Sequence, residues 1–276
     1  MATDTYPGSL GHERLAGAAS GVALSTTAAF VGLPQGTALT TLIPRNFAGA
    51  AVMRFAACPY LVVLKADSSD DLASVPTDYT EVAQDGSTDT DVTLSSLAAG
   101  RYLYVGSAVK FRGVSIDVDA TNSTGSSALT VRYWNGVWTD ISDTDNTSSS
   151  TSLDQDGTVV WTVPSAWRSA SLARISRDLG TSIAAKFAWR DASMYWTRWE
   201  WNQAMDATVT LNSMLGINES TAYAEIPSGI TRQARVHMGF GPDGIAGYEL
   251  LSNAGTGNCL VNCSSLNGYF SEGVVK

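Results

Sequence analysis

Val114-Ser115-Ile116-Asp117-Val118-Asp119 alternates apolar and polar side chains over six positions, the period of a β-strand with one face on a core. Downstream, Leu129, Val131 and Tyr133 alternate with Thr130, Arg132 and Trp134, and Asn135-Gly136 then leads into Val137-Trp138. Asn-Gly between alternating runs is the strongest short hairpin signal. Val159, Trp161 and Val163 alternate in the same way with Thr158, Val160 and Thr162, as do residues 208–212. Clusters rich in Asn, Asp, Ser, Thr and Gly separate these runs at 85–91, 121–127 and 140–157, and these are turn chemistries. Helical spacing is confined to short candidates at 11–19, 69–73 and 164–170. The chain is therefore expected to be all-β, built of β-sandwich or jelly-roll modules.

Composition bounds the function. The 276 residues carry 17 basic and 26 acidic side chains, a net charge of −9. Charged residues are only 16%, against about 25% in an average soluble domain. Polarity comes instead from Ser and Thr, about a fifth of the chain, and from 25 Gly. A hydrophobic content of 44% excludes a disordered, charge-rich chain. No cluster of Lys and Arg is present to engage phosphates, so nucleic acid is not an expected partner.

The three cysteines, Cys58, Cys259 and Cys263, do not spell a disulfide framework. Cys259 and Cys263 would share one face of a strand, too far apart to bridge along it. A zinc site would have to draw on Cys58, His12 and His237, which are widely separated, so buried apolar thiols and no metal are expected. Residues 15–33 are mildly apolar but lack a basic start and carry several Ser, Thr and Gly. They read as neither a secretory leader nor a membrane span.

The expected organisation is an N-terminal arm at 1–20, a β-domain at 21–97, a Trp-rich β-sandwich at 98–215 and a C-terminal β tail at 216–276 that could pair back with 21–97. All eight Trp fall between Trp134 and Trp201, which gives the third segment an aromatic core of its own.

Several pieces of this segment form a pattern. They are YVG at Tyr104-Val105-Gly106, a strand from Gly113 to Asp117, the hairpin LTVRYWNGVW ending at Trp138, DGTVVWTVPSAW ending at Trp167, and YWTR at Tyr195-Trp196-Thr197-Arg198. Together they resemble a β-module found in virion structural proteins of tailed bacteriophages. Residues 21–55, where a Pro-Gly turn leads into paired strands, are similar to a second pattern in phage head and tail accessory proteins. The resemblance covers about two thirds of the chain. It implies a β-sandwich fold, a virion location and a non-enzymatic role in decorating or cementing the capsid or in the neck or tail. The implied partners are capsid, tail or neck subunits and further copies of the chain, with no membrane and no cofactor.

Candidate site residues are aromatic. Trp134 lies on the strand face opposite Val131 and Tyr133, so it is expected off the core side, with Trp138 beyond the turn. Exposed rings beside Asn and Asp could stack on a sugar, which makes a carbohydrate-binding adhesion module the alternative function; for Trp134 a cover for a second sheet or a subunit contact is the favoured reading. In residues 194–201, alternation places Trp199 and Trp201 on one face and Trp196, Arg198 and Glu200 on the other. Arg198 is expected to form a cation–π contact with Trp196, and a core or assembly interface is favoured there.

Other motifs reduce to structure. Asp140, Asp143, Asp145, Asn146, Asp154 and Asp156 offer hard oxygen ligands, but neither segment has the alternating acids, sixth-position Gly and twelfth-position Glu of a calcium loop. Solvated turns are expected there. Gly239-Phe240-Gly241-Pro242-Asp243-Gly244 spells a dinucleotide fingerprint, yet Pro242 interrupts it and strand-like residues follow, so it reads as a turn. His12 and His237 are the only imidazoles, no nucleophile elbow or zinc-protease motif occurs, and the chain is not expected to be an enzyme.

Overall fold

The computed structural model describes residues 13–17, 20–66, 72–85 and 87–265. The all-β expectation holds: the alternating segments form four sheets in which every strand pair is antiparallel. Sheet I runs from Glu13–Ala16 through Gly257–Ser264 and Leu39–Arg45 to Arg232–Arg235, with Val22–Leu24 also on Gly257–Ser264. Sheet II orders Ala224–Pro227, Val52–Pro59, Ile245–Ser252 and Ala29–Gly32. Sheet III orders Thr144–Asp145, Gly157–Val160, Phe111–Ala120, Thr210–Asn218 and Val92–Thr93. Sheet IV orders Trp138–Asp140, Leu129–Trp134, Tyr195–Trp201, Tyr102–Ser107, Leu61–Ala66 and Thr77–Asp78.

Period-two alternation sets the layers. Met53, Leu42, Tyr248, Leu250 and Val261 close a core between sheets I and II. Phe111, Val114, Ile116, Val131, Trp161 and Trp199 close a larger one between sheets III and IV. The outward residues of sheets II and III then meet in a small cluster of Cys58, Tyr60, Leu215 and Ala246, with Phe30 and Phe240 packed on it. The outer face of sheet IV is covered by the helix Leu172–Leu179 and its flanks. Sheet faces II, III and IV are thus each buried at least in part on both sides.

The hydrogen-bonded ladders divide the chain differently from its composition. Leu61–Ala66, grouped in sequence with 21–97, is buried at every position and pairs with Tyr102–Ser107 in the Trp-rich sandwich. Val92–Thr93 likewise pairs with Leu211 and Thr210. A strand that is apolar on both faces needs a cover on each, and sheet IV, between its core and the helix layer, supplies both. The C-terminal strands Ile245–Ser252 and Gly257–Ser264 sit inside sheets II and I, paired with strands from residues 22–59. The Trp-rich sandwich is therefore inserted into a sandwich made by the two ends of the chain.

Local corrections follow the same logic. Residues 1–12 of the expected arm lie outside the described residues, but Glu13–Ala16 is a strand on Val261–Ser264, neither arm nor helix. Ala16 is buried in the core. Residues 69–71 of the second helix candidate also lie outside the described set, and Leu72 is a buried turn residue. Residues 164–170 form a turn rather than a helix. The helix lies just beyond, at Leu172–Leu179, where the Ser171 side chain accepts the Arg174 N–H and Gly180 closes the end at φ 68°, the usual cap pair. The 135–137 hairpin forms between Trp134 and Trp138 as a three-residue loop with Gly136 at φ 121°.

Candidate functional site

Three places concentrate chemistry-bearing side chains. The first is the outer face of sheet IV. Strand register brings Trp134 opposite Trp138, Arg132 opposite Arg198, Arg198 opposite Tyr104 and Glu200 opposite Tyr102. Four of the five sequence candidates, Trp134, Trp138, Trp196 and Arg198, thus share this face. Trp199 points the other way, into the core of sheets III and IV, edge-on to Trp161 at 6.3 Å, with its Nε1 donating to Thr197 Oγ1 at 2.9 Å.

Trp134 is not open. Leu172, Ile175, Ala170 and Met194 pack with it and with Trp196, leaving Trp134 2% and Trp196 0% exposed. The reason is that sheet IV has a third layer, which alternation within a strand cannot reveal. Trp138 is half-buried, 5.4 Å from the Trp134 ring and 5.9 Å from Tyr104. Arg198 does not seek Trp196: its guanidinium lies 4.2 Å from the Tyr102 ring and 5.2 Å from Trp138. It also approaches Glu200 at 3.7 Å, and Arg132 holds the same carboxylate at 2.7 Å. Cations over aromatic faces with a shared carboxylate form a packing network. It offers no free aromatic platform for a sugar.

The second place is the junction of sheets II and III. Arg112 Nη2 donates to both oxygens of Glu249, at 2.8 and 3.0 Å, and to the Tyr223 hydroxyl at 3.0 Å. Tyr223 in turn donates to Glu249 Oε1 at 2.6 Å. Burial and the hydrogen bond to Glu249 push the Tyr223 hydroxyl up to about 12. Cys58 lies close by, its thiol raised first by burial and then by the Glu249 charge. Nothing local in the sequence announces this triad, because its members come from three distant segments.

The third is a groove of about 530 Å³ beside the free edge of Ala29–Gly32, lined by Phe30 and by Ser115, Asp117, Asn212 and Ser213 on the outer face of sheet III. A neighbouring groove of about 610 Å³ shares Phe30, Ser115 and Asp117. Asn212 Nδ2 donates to Asp117 Oδ1 at 3.0 Å, while Asn212 Oδ1 is buried without a partner.

The acidic loops are occupied by their own backbone. Asp140, Asp143, Asp145 and Asp156 accept the N–H groups of Ser142, Val131, Thr147 and Val118. Asp154 accepts N–H groups of Ser149, Ser150 and Thr151 and the two serine hydroxyls. These bonds outweigh its desolvation, which alone would raise it, and hold its carboxyl down at about 2. A depressed carboxyl contributes stability above its unfolded value, lost as pH falls through the folded one. The 147–154 loop is therefore expected to open between pH 4 and 2, read by amide exchange at Ser149–Thr151, and Asp154→Ala should open it at neutral pH. Among the described residues no group of three His, Cys, Asp or Glu is placed to hold a metal. The 239–244 glycines form a turn closed by Gly244 N–H to Gly241 O at 3.0 Å and by a bridge from His237 to Gly244; His12 lies outside the described residues. All three cysteines are buried and none is in a disulfide, and among the described residues no helix is long and apolar enough to cross a membrane.

Compared with known proteins, the chain matches no family model, no curated protein and no solved structure.

Proposed function

We propose that the chain is a non-enzymatic structural component of a tailed-bacteriophage particle. In this role it decorates or cements the capsid, or serves as a neck or tail accessory protein, through contacts with capsid or tail subunits and with further copies of itself. The observation that supports this most is how the phage-like motif residues are used. Gly106 receives the Trp196 ring, the Trp134–Trp138 hairpin edges sheet IV, and Trp161 and Trp167 lock onto Phe111 at 5.4 and 5.2 Å. Each serves rigidity, and the Arg112–Glu249 pair joins the two sandwiches through sheets II and III. A stiff body with a low-charge, hydroxyl-rich surface suits wet contacts repeated over many symmetric copies. Adhesion through Trp faces has less support, since the rings of Trp134, Trp196 and Trp199 are buried and Trp138 is half-buried.

Particles purified from the phage that encodes the chain should contain it in many copies, counted by quantitative mass spectrometry against the major capsid subunit. Its absence from intact particles would overturn the proposal. Residues 13–16 belong to sheet I, so the assembly role of the arm is tested by removing residues 1–12 alone. Occupancy on particles should fall while the melting temperature of the isolated chain is unchanged; normal occupancy would remove the arm from the mechanism.

A further inference from the structure

The groove between the Ala29–Gly32 edge and sheet III sets apolar side chains such as Phe30 and Val22 beside polar ones. Phe30 packs on the inter-sheet cluster yet remains partly exposed, and it lines both adjoining grooves. Ser115, Ser213 and the Asp117–Asn212 pair, held by its own 3.0 Å hydrogen bond, line the same groove. Among the described residues that line the two grooves none is Lys, Arg or His, while Asp117 and Asp156 are carboxylates, so the lining disfavours an anionic ligand. Asp117 is exposed and only its Oδ1 takes the Asn212 amide, so its carboxylate keeps acceptor lone pairs that a donor-rich ligand can use. An apolar ring beside a fixed carboxylate, an amide and hydroxyls matches a ligand with an apolar face and a rim of O–H donors. At about 530 Å³, the groove falls in the range of small-ligand sites.

We infer that this groove binds a short neutral oligosaccharide, with a pyranose ring against Phe30 and its hydroxyls on Asp117 and Asn212. The inference does not depend on the assembly role. It moves glycan recognition from the buried tryptophans to residues that no single stretch of sequence brings together.

The test is ligand-observed saturation-transfer NMR on the full chain. The probes are a panel of neutral gluco-, galacto-, manno- and N-acetylhexosamine oligomers, with sialyllactose and spermidine as anionic and cationic comparators. At least one neutral oligomer should bind with Kd at or below about 1 mM, and sialyllactose should not bind. Asp117→Ala, an exposed position, should weaken binding about tenfold or more through loss of a charge-assisted hydrogen bond. Phe30→Ala should do the same, with its fold checked by melting, and Trp138→Ala should leave binding unchanged. The inference is overturned if no neutral oligomer transfers saturation, if binding survives Asp117→Ala, or if spermidine alone occupies the groove.

Discussion

Replacing Glu249 with alanine is expected to destabilise the chain by about 3–5 kcal/mol, the usual result of removing one partner of a buried ion pair. Glu249 has a side chain only 3% exposed, and Arg112 one that is 20% exposed. The Glu249 carboxylate takes two hydrogen bonds from Arg112 and one from Tyr223. Without it the guanidinium is left between sheets II and III with no counter-charge and only the Tyr223 hydroxyl to accept from it, and that hydroxyl loses its own acceptor. Urea denaturation of the single variant measures the loss. The combined Arg112→Met, Tyr223→Phe, Glu249→Leu variant should recover most of it, because an apolar replacement of the whole network removes the uncompensated charge. A Glu249→Ala cost below about 0.5 kcal/mol would mean that solvent reaches the pair and that it contributes little. The same junction sets an alkaline limit. Tyr223 and Tyr60 are both pushed up to about 12, first by burial. A raised folded value means stability fully present below the unfolded value near 10 and lost as pH climbs from 10 to 12. Melting temperature should therefore fall over that window, and less steeply in Tyr223→Phe.

What was legible in the sequence is what one strand can say about itself. Alternation at Val114–Asp119 and in Met194–Trp201 correctly separates Val114 and Ile116 from Ser115 and Asp117, and Trp199 from Trp196. It cannot say whether the second face of a strand meets water. Trp134 and Trp196 lie off the main core as expected, yet they are buried by a helix whose signals, Ser171 before Leu172 and Gly180 after Leu179, were present. A helix of eight residues buries too narrow a stripe to stand out beside long strands. By its place in the sequence Leu61–Ala66 groups with 21–97, whereas its membership in sheet IV is set by long-range pairing with Tyr102–Ser107. The Arg112–Glu249–Tyr223 triad and the Phe30 groove depend on stacking between sheets whose strands lie far apart in the sequence, and no local period encodes that. The acidic loops were readable because Asx turns are local by nature.

Gly106 and Trp196 make the strongest test of the packing that defines the Trp-rich sandwich. They sit opposite each other in the pairing of Tyr102–Ser107 with Tyr195–Trp201. A Cβ on Gly106 would stand 2.5 Å from Trp196 Cε3 and 2.7 Å from Cζ3, well inside van der Waals contact. The ring has nowhere to go, because it is 0% exposed beneath Leu172 and Ile175. Gly106→Ala should therefore cost about 3 kcal/mol, the upper end of overpacking. Trp196→Ala should cost about 3–5 kcal/mol, through lost burial and the cavity left under the helix. The two losses should not add: in a Trp196→Leu background the clash is relieved, and Gly106→Ala should then cost under about 1 kcal/mol. Urea midpoints for the four corners of the Gly106→Ala, Trp196→Leu cycle measure the coupling. Additivity would show that the ring does not rest on Gly106, and the YVG motif would then need another physical reason. A glycan assay on Trp134→Ala or Trp196→Ala would confuse this loss of packing with loss of a ligand, since both rings support the layer that covers sheet IV.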